Sequence, residues 1–160
     1  MPHFPLQIRL IAVGKLRGSL WLPAATEYGH RLQRYIDFDL IEVRDFVGKG
    51  LPDLTARAEE GKALAQTIAE GNYLIVLDRE GRTFASEQFA EFLHRQIDAG
   101  IRKMDFVIGG PVGVDSSIIA KANLRLSLSA MTLPHELARV LVLEQLYRAF
   151  TILRGEAYHK

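Results

Sequence analysis

The chain has 160 residues, 48% of them hydrophobic and 24% charged, enough for one folded unit with a real core. Its formal net charge of +1 gives no global electrostatic case for nucleic acid, so any RNA contact needs a local patch. Cysteine is absent, which excludes disulfides, thiolate nucleophiles and cysteine-ligated zinc and fits a cytoplasmic protein.

No apolar run approaches the ~20 residues of a membrane span. The leader Met1 to Pro5 lacks the charged-then-apolar layout of a signal peptide. Leu6, Ile8 and Leu10 alternate with Gln7 and Arg9, and Ile11 to Val13 follow, which predicts a strand ending at Gly14. Ser19 is a possible helix cap. Trp21, Ala24, Tyr28, Leu32 and Tyr35 recur at helical steps. Phe38, Leu40 and Val43 give a second strand. Residues 44–52, with two glycines and a proline, read as a mobile loop. Asp53 should cap a helix that buries Leu54, Ala58, Gly61, Ala65 and Ile68 and stops at Gly71.

Tyr73 to Leu77 form the third strand, followed by a turn from Arg79 to Arg82. Ser86 should cap a helix with Phe89, Phe92, Leu93 and Ile97 inward. A strand at Phe106 to Ile108 breaks at Gly109 and Gly110. Asp115 should cap a short helix over 116–123. Leu124, Leu126 and Leu128 alternate as a strand, and a last helix runs from about Pro134 to Arg154, with Gly155 as its stop. Strands and helices alternate throughout. The expected class is therefore α/β, a largely parallel sheet with helices on both faces.

The last helix carries a core stripe of Val140, Leu143, Leu146, Phe150 and Leu153. Leu137, Leu141, Tyr147 and Ile152 lie off that stripe, so apolar groups reach most of the circumference. Either a second subunit or the C-terminal tail must cover the other face. A homodimer is the preferred expectation.

Three strand ends stand out: Asp78 after the third, Gly109 to Gly113 after the fourth, and Ser129 to Leu133 after the fifth. In open α/β sheets ligands sit beyond the carboxyl ends of strands. Small residues there point to a ligand held by backbone atoms, such as an adenosine-type molecule. Taken alone, a glycine-rich turn is structural more often than not, and this one matches neither dinucleotide nor Walker patterns. The five histidines show no metal-ligand spacing, so no metal is expected. No Gly-x-Ser-x-Gly elbow supports a hydrolase. His135 is a helix-start contact or a site residue. Glu144 and Arg148, four apart, read as an intrahelical pair. The tail from Arg154 to Lys160 is either idle or suited to hold a nucleotide by stacking and phosphate contact.

Five motifs occur in order: Val76-Leu77-Asp78-x-x-Gly81, Ile108-Gly109-Gly110-x-x-Gly113, Leu128-Ser129-x-Met131-Thr132-x-Pro134-His135, Glu144-Gln145-x-Tyr147-Arg148-Ala149, and Arg154-Gly155-Glu156-Ala157-Tyr158-His159-Lys160. Together they resemble the small bacterial pseudouridine N3-methyltransferases of 23S ribosomal RNA, within the SPOUT superfamily. The likeness runs from about Leu6 to Lys160, and only the leader looks extra.

The resemblance implies a single SPOUT domain over 1–160 with a C-terminal trefoil knot at about 73–155. It implies S-adenosyl-L-methionine as cofactor, held by Leu77, Gly109, Leu128, Ser129, Ala130, Met131, Thr132 and Leu133. It implies a homodimer acting on 23S rRNA in the 70S ribosome. The methylated uracil N3 must lose a proton, and His135, Tyr158 and His159 are the candidate catalytic groups. Arg148, Arg154 and Lys160 are candidate RNA contacts. A tRNA methyltransferase of the same fold and a non-catalytic dimer or ribosome-associated module binding an adenosine-type ligand stand as alternatives.

Overall fold

The computed structural model describes residues 3–160; of the predicted leader, Met1 and Pro2 lie outside the described residues. Five strands form one parallel sheet in the order β2-β1-β4-β3-β5. They are β1 (Gln7–Val13), β2 (Asp37–Val43), β3 (Tyr73–Arg82), β4 (Lys103–Ile108) and β5 (Leu124–Leu126). The helices are α1 (Leu22–Leu32), α2 (Asp53–Thr67), α3 (Ser86–Asp98), α4 (Ser116–Ile119) and α5 (His135–Leu153).

The expected α/β architecture is present, and the burial pattern gives its reason. In β1, in residues 74–76 of β3 and in β4 from Met104 onward the side chains of both faces are covered. Ile8, Leu10, Ile75 and Phe106 join one core with α1, α3 and α5. Ile11, Val13, Val76 and Val107 join a second core with Leu64 of α2 and Ile118 of α4. Strands covered on both faces read as continuous apolar runs. Strand β2 lies at an edge and alternates more openly, with Leu40 38% exposed.

Several local expectations shift. Helix α1 begins at Leu22 with Trp21 in the cap position, not Ser19, and Pro23 in its first turn. Helix α2 has Pro52 at its cap and Asp53 one step inside. It buries Ala56, Glu60, Gly61 and Leu64, while Leu54 is 71% exposed. Of the expected stripe Gly61 is buried and Ile68 half-buried, while Ala58 and Ala65 are exposed; the buried stripe contains an acid, which a search for apolar periodicity passes over. Helix α3 is capped by Ala85, whose amide donates to Gln88 Oε1 at 2.9 Å; Ser86 instead donates to Gln145 Oε1 at 2.7 Å. Residues 79–82 are not a free turn. They extend β3, with a register break between Leu77 and Arg82 opposite Leu126. Strand β5 ends at Leu126 and α4 at Ile119, both shorter than predicted. Asp115 does cap α4, accepting from the Ser117 amide at 2.9 Å.

The predicted leader is not idle where it is described. Phe4 donates its amide to the Tyr35 carbonyl at 2.7 Å and sets its ring 5.0 Å from that of Phe150.

The face of α5 that carries Tyr147 is also covered from within the chain. Tyr147 is 7% exposed, under Tyr28, Tyr35 and the tail residue Tyr158, whose ring meets it edge-on at 4.7 Å. Tyr147 therefore gives no reason for a second subunit. Leu137, Leu141 and Ile152 remain only partly buried.

Candidate cofactor site

Because all five strands run parallel, their carboxyl ends share one edge of the sheet. A cleft of about 400 Å³ opens there, between the ends of β3, β4 and β5 and the start of α5. Leu77, Asp78 and Arg79 form one wall. Ile108 to Val114 form another. Leu126, Leu128, Ser129, Met131, Thr132, Leu133, His135 and Ala138 complete it.

Four glycines make this shape. The Gly113 amide donates to the Gly110 carbonyl at 3.0 Å and closes a four-residue turn. A β-carbon on Gly109 would sit 2.7 Å from the Gly113 carbonyl carbon and 2.8 Å from Val114 Cγ2. No side chain fits there without opening the turn. At Gly81 a β-carbon would lie 2.5 Å from the Arg125 carbonyl oxygen. Close passage of the two segments is also fixed by the Ser127 amide, which donates to the Arg82 carbonyl at 2.8 Å.

The rim is held by polar bonds. Arg125 grips Asp78 at 2.6 and 2.8 Å, and Asp78 Oδ1 accepts the Glu80 amide at 3.0 Å. Burial pushes the Asp78 carboxyl up, but the Glu80 amide and the Arg125 guanidinium outweigh it and hold it below the usual carboxylate range. Arg79 donates to Thr132 Oγ1 at 2.9 Å and joins the β3 wall to the third loop. Within that loop the Met131 amide donates to Ser129 Oγ at 3.0 Å, and Ser127 Oγ donates to the Ser129 carbonyl at 3.1 Å.

The residues expected around a cofactor meet in this cleft: Leu77, Gly109, Leu128, Ser129, Met131, Thr132 and Leu133 all line it, with His135 at its edge. Ala130 is exposed and does not line it.

Tyr158 and His159 lie elsewhere, in a second cluster on the α5 face. Tyr158 donates to Glu144 Oε1 at 3.1 Å and lies under the Arg148 guanidinium, 4.8 Å from its carbon to the ring centroid. Its phenol is pushed well above the usual tyrosine value by burial, then by its bonds with Tyr28 and Glu144. Arg148 also grips Glu144 Oε1 at 2.6 Å, so the intrahelical pair is present. Arg148 Nη1 stands 3.1 Å from His159 Nδ1 and can only donate, so Nδ1 accepts. The other ring nitrogen, Nε2, therefore carries the hydrogen toward Glu87 Oε1 at 2.6 Å. Arg154 stands 3.5 Å from Glu156 and 5.7 Å from the Tyr35 ring, and Lys160 is exposed at the end.

Sequence reading missed four charged groups that are buried or paired. Asp105 is fully buried and binds Arg9 twice at 2.7 Å and the Ala69 amide at 3.0 Å. Arg139, 1% exposed, donates to Glu42 at 2.6 Å and to the Gly14 carbonyl at 3.0 Å. Glu60 is 1% exposed, and Glu87 receives His159. All four are charged residues on faces that apolar periodicity does not mark. Among the described residues no group of three or more His, Asp or Glu could hold a metal ion, and no helix is long and apolar enough to cross a membrane.

The family described as "Predicted SPOUT methyltransferase" matches residues 6–159. Proteins named ribosomal RNA large subunit methyltransferase H are similar over nearly the whole chain. The one from Clostridium acetobutylicum is 40% identical, and the one from Anaeromyxobacter sp. (strain Fw109-5) is 43% identical; each comparison covers 97% of this chain and 100% of the relative. A probable methyltransferase from Bordetella pertussis Tohama I has the same fold, with a TM-score of 0.55 at 15% identity over 91% of this chain and 95% of that one. With the match spanning nearly every residue, the chain belongs to the SPOUT methyltransferase family.

Proposed function

We propose that this chain transfers a methyl group from S-adenosyl-L-methionine to N3 of a pseudouridine in 23S rRNA, on the assembled 70S ribosome in the cytoplasm. The observation that carries the reading is the backbone-built cleft at the strand ends, in a chain similar end to end to ribosomal RNA large subunit methyltransferases. The cleft fits the cofactor: it is about 400 Å³, and the missing β-carbon of Gly109 lets the Gly110–Gly113 turn pack close and form one of its walls. Leu77, Gly109, Leu128, Ser129, Met131, Thr132 and Leu133 would hold it. When bound, the cofactor supplies an electrophilic methyl group on a sulfonium.

The protein's part is positioning and proton removal. Orientation alone supplies on the order of 7–11 kcal/mol in well-aligned reactions. His135 stands at the cleft edge and is the group assigned to take the N3 proton. Tyr158, with its phenol held up, stays protonated and acts as a donor or stacking ring. His159, with both nitrogens engaged, helps to hold the nucleotide instead of acting as base. Arg148, Arg154 and Lys160 face the RNA phosphates. Residues 73–155 form the trefoil knot; the tight passage of 125–127 against Gly81 and Arg82 supports this.

The working form is a homodimer. Leu141, half-buried on α5, lines a second cleft of about 270 Å³ of mixed character, with Phe84 and Leu128 beside Ser86, Ser127 and Gln145, which a partner would cover. Leu141→Glu is expected to give monomers in sedimentation velocity, because a charge would be buried unpaired at a cost of several kcal/mol. A wild-type-like dimer from that variant would place the interface elsewhere. Tyr147→Glu would not serve this test, since it strikes the tail packing under Tyr158.

The function is tested by incubating the protein with labelled cofactor and 70S ribosomes from a strain lacking the enzyme. One methyl group per ribosome, mapped by mass to a pseudouridine of 23S rRNA, is the expected result. Label in tRNA would favour the tRNA reading, and cofactor binding without any transfer would favour a binding module.

A further inference from the structure

We propose that residues 14–19, after β1, and 44–52, between β2 and α2, form a docking surface for the sugar–phosphate backbone of the RNA substrate. The proposal rests on the RNA-methyltransferase reading above and adds a contact separate from the cleft and the tail.

Both loops leave the carboxyl ends of their strands, so they lie on the same sheet edge as the cofactor cleft. They touch each other. The Gly14 amide donates to the Val43 carbonyl at 2.8 Å, and a β-carbon on Gly14 would stand 3.6 Å from that of Asp45. Together they carry Lys15, Arg17, Arg44 and Lys49, all exposed, against a single carboxylate, Asp45. That is a net +3 from these two loops in a chain whose total is +1, so the rest of the molecule carries a net −2. The basic patch absent from the overall charge is concentrated here.

Lys49 binds Asp45 at 3.0 Å, and that bond first, then the field of Lys49 and of Arg17, holds the Asp45 carboxyl low. Arg44 lies over the Phe46 ring at 5.0 Å, which pre-orients its guanidinium at little further entropic cost. Spaced cations of this kind read phosphates, which position a nucleic acid without selecting sequence.

The loop is also anchored to the cleft. The Phe46 amide donates to Glu60 Oε2 at 2.9 Å. The other oxygen of this buried acid lies 3.4 Å from where a β-carbon on Gly110 would be. From the same helix, Arg57 reaches the Val112 carbonyl at 3.5 Å. RNA held by the loop is thus held in fixed relation to the glycine turn that shapes the cofactor cleft.

The test is steady-state methyl transfer to 70S ribosomes across a salt series. It compares the full-length protein, the double variant Arg44→Ala/Lys49→Ala, and Lys103→Ala, an exposed cation at the start of β4 on the opposite sheet edge. For the double variant, KM for ribosomes should rise at least tenfold, with kcat and S-adenosylmethionine affinity unchanged. The slope of log kcat/KM against log salt should flatten by about 1.4–1.8, the loss of two phosphate contacts. Lys103→Ala should behave as wild type. An unchanged KM, or an equal loss in Lys103→Ala, overturns the surface while leaving the function intact. A raised KM with an unchanged salt slope assigns the surface to a protein partner and also overturns it. Wild-type protein that leaves ribosomes unmodified overturns both the surface and the reading it rests on.

Discussion

Gly109→Val is expected to abolish S-adenosylmethionine binding, with affinity falling by at least a hundredfold, about 2.7 kcal/mol. The reason lies in the protein before it concerns the ligand. A branched β-carbon at this strand end would sit 2.7–2.8 Å from the Gly113 carbonyl and Val114. The Gly110–Gly113 turn must open, and the wall of the cleft goes with it. Overpacking of this kind also costs about 1–3 kcal/mol of stability, so the variant should melt earlier yet still fold. Gly113→Ala is the internal comparison. Its added carbon meets nothing within 4 Å, and the cost is only the strain of a residue at φ +82°. It should bind the cofactor more weakly than wild type and far better than Gly109→Val. Calorimetry showing wild-type affinity for Gly109→Val would refute the assignment of this cleft.

Deleting residues 158–160 is expected to lower methyl transfer to ribosomes at least tenfold, about 1.4 kcal/mol in transition-state stabilisation. Cofactor affinity should be unchanged, because no tail residue lines the cleft. From the sequence, a segment beyond the Gly155 stop should matter little to stability. The packing says otherwise. Tyr158 covers Tyr147 edge-on at 4.7 Å, bonds Glu144, and lies under Arg148, while His159 bridges Arg148 and Glu87. Losing the aromatic contact and its buried area costs about 1–2 kcal/mol. The truncated protein should therefore melt several degrees lower. The single change Tyr158→Phe separates the two roles. It keeps the ring on Tyr147 and removes only the hydroxyl that donates to Glu144, so stability should fall by less than for the deletion. A truncated protein that methylates ribosomes at the full rate would show the tail to be idle. A loss of cofactor affinity would mean that the tail closes over the donor pocket.

The sequence by itself determined the alternation of strands and helices, the parallel sheet and the three loops that meet in the cleft. It could do so because those features are written locally. Buried central strands appear as the apolar runs Leu10 to Val13 and Phe106 to Ile108, and the cleft loops appear as glycines and small residues at strand ends. Only the tertiary structure decided what those segments meet. Helix α2 turns Glu60 inward because the Phe46 amide waits there, 14 residues away in the chain. Tyr147 is covered by its own tail, across 11 residues, and not by a second subunit. Asp105 is buried because Arg9, 96 residues distant, meets it across neighbouring strands. A buried charge is tolerable only when a partner satisfies it, and no periodicity within a segment records where that partner will come from.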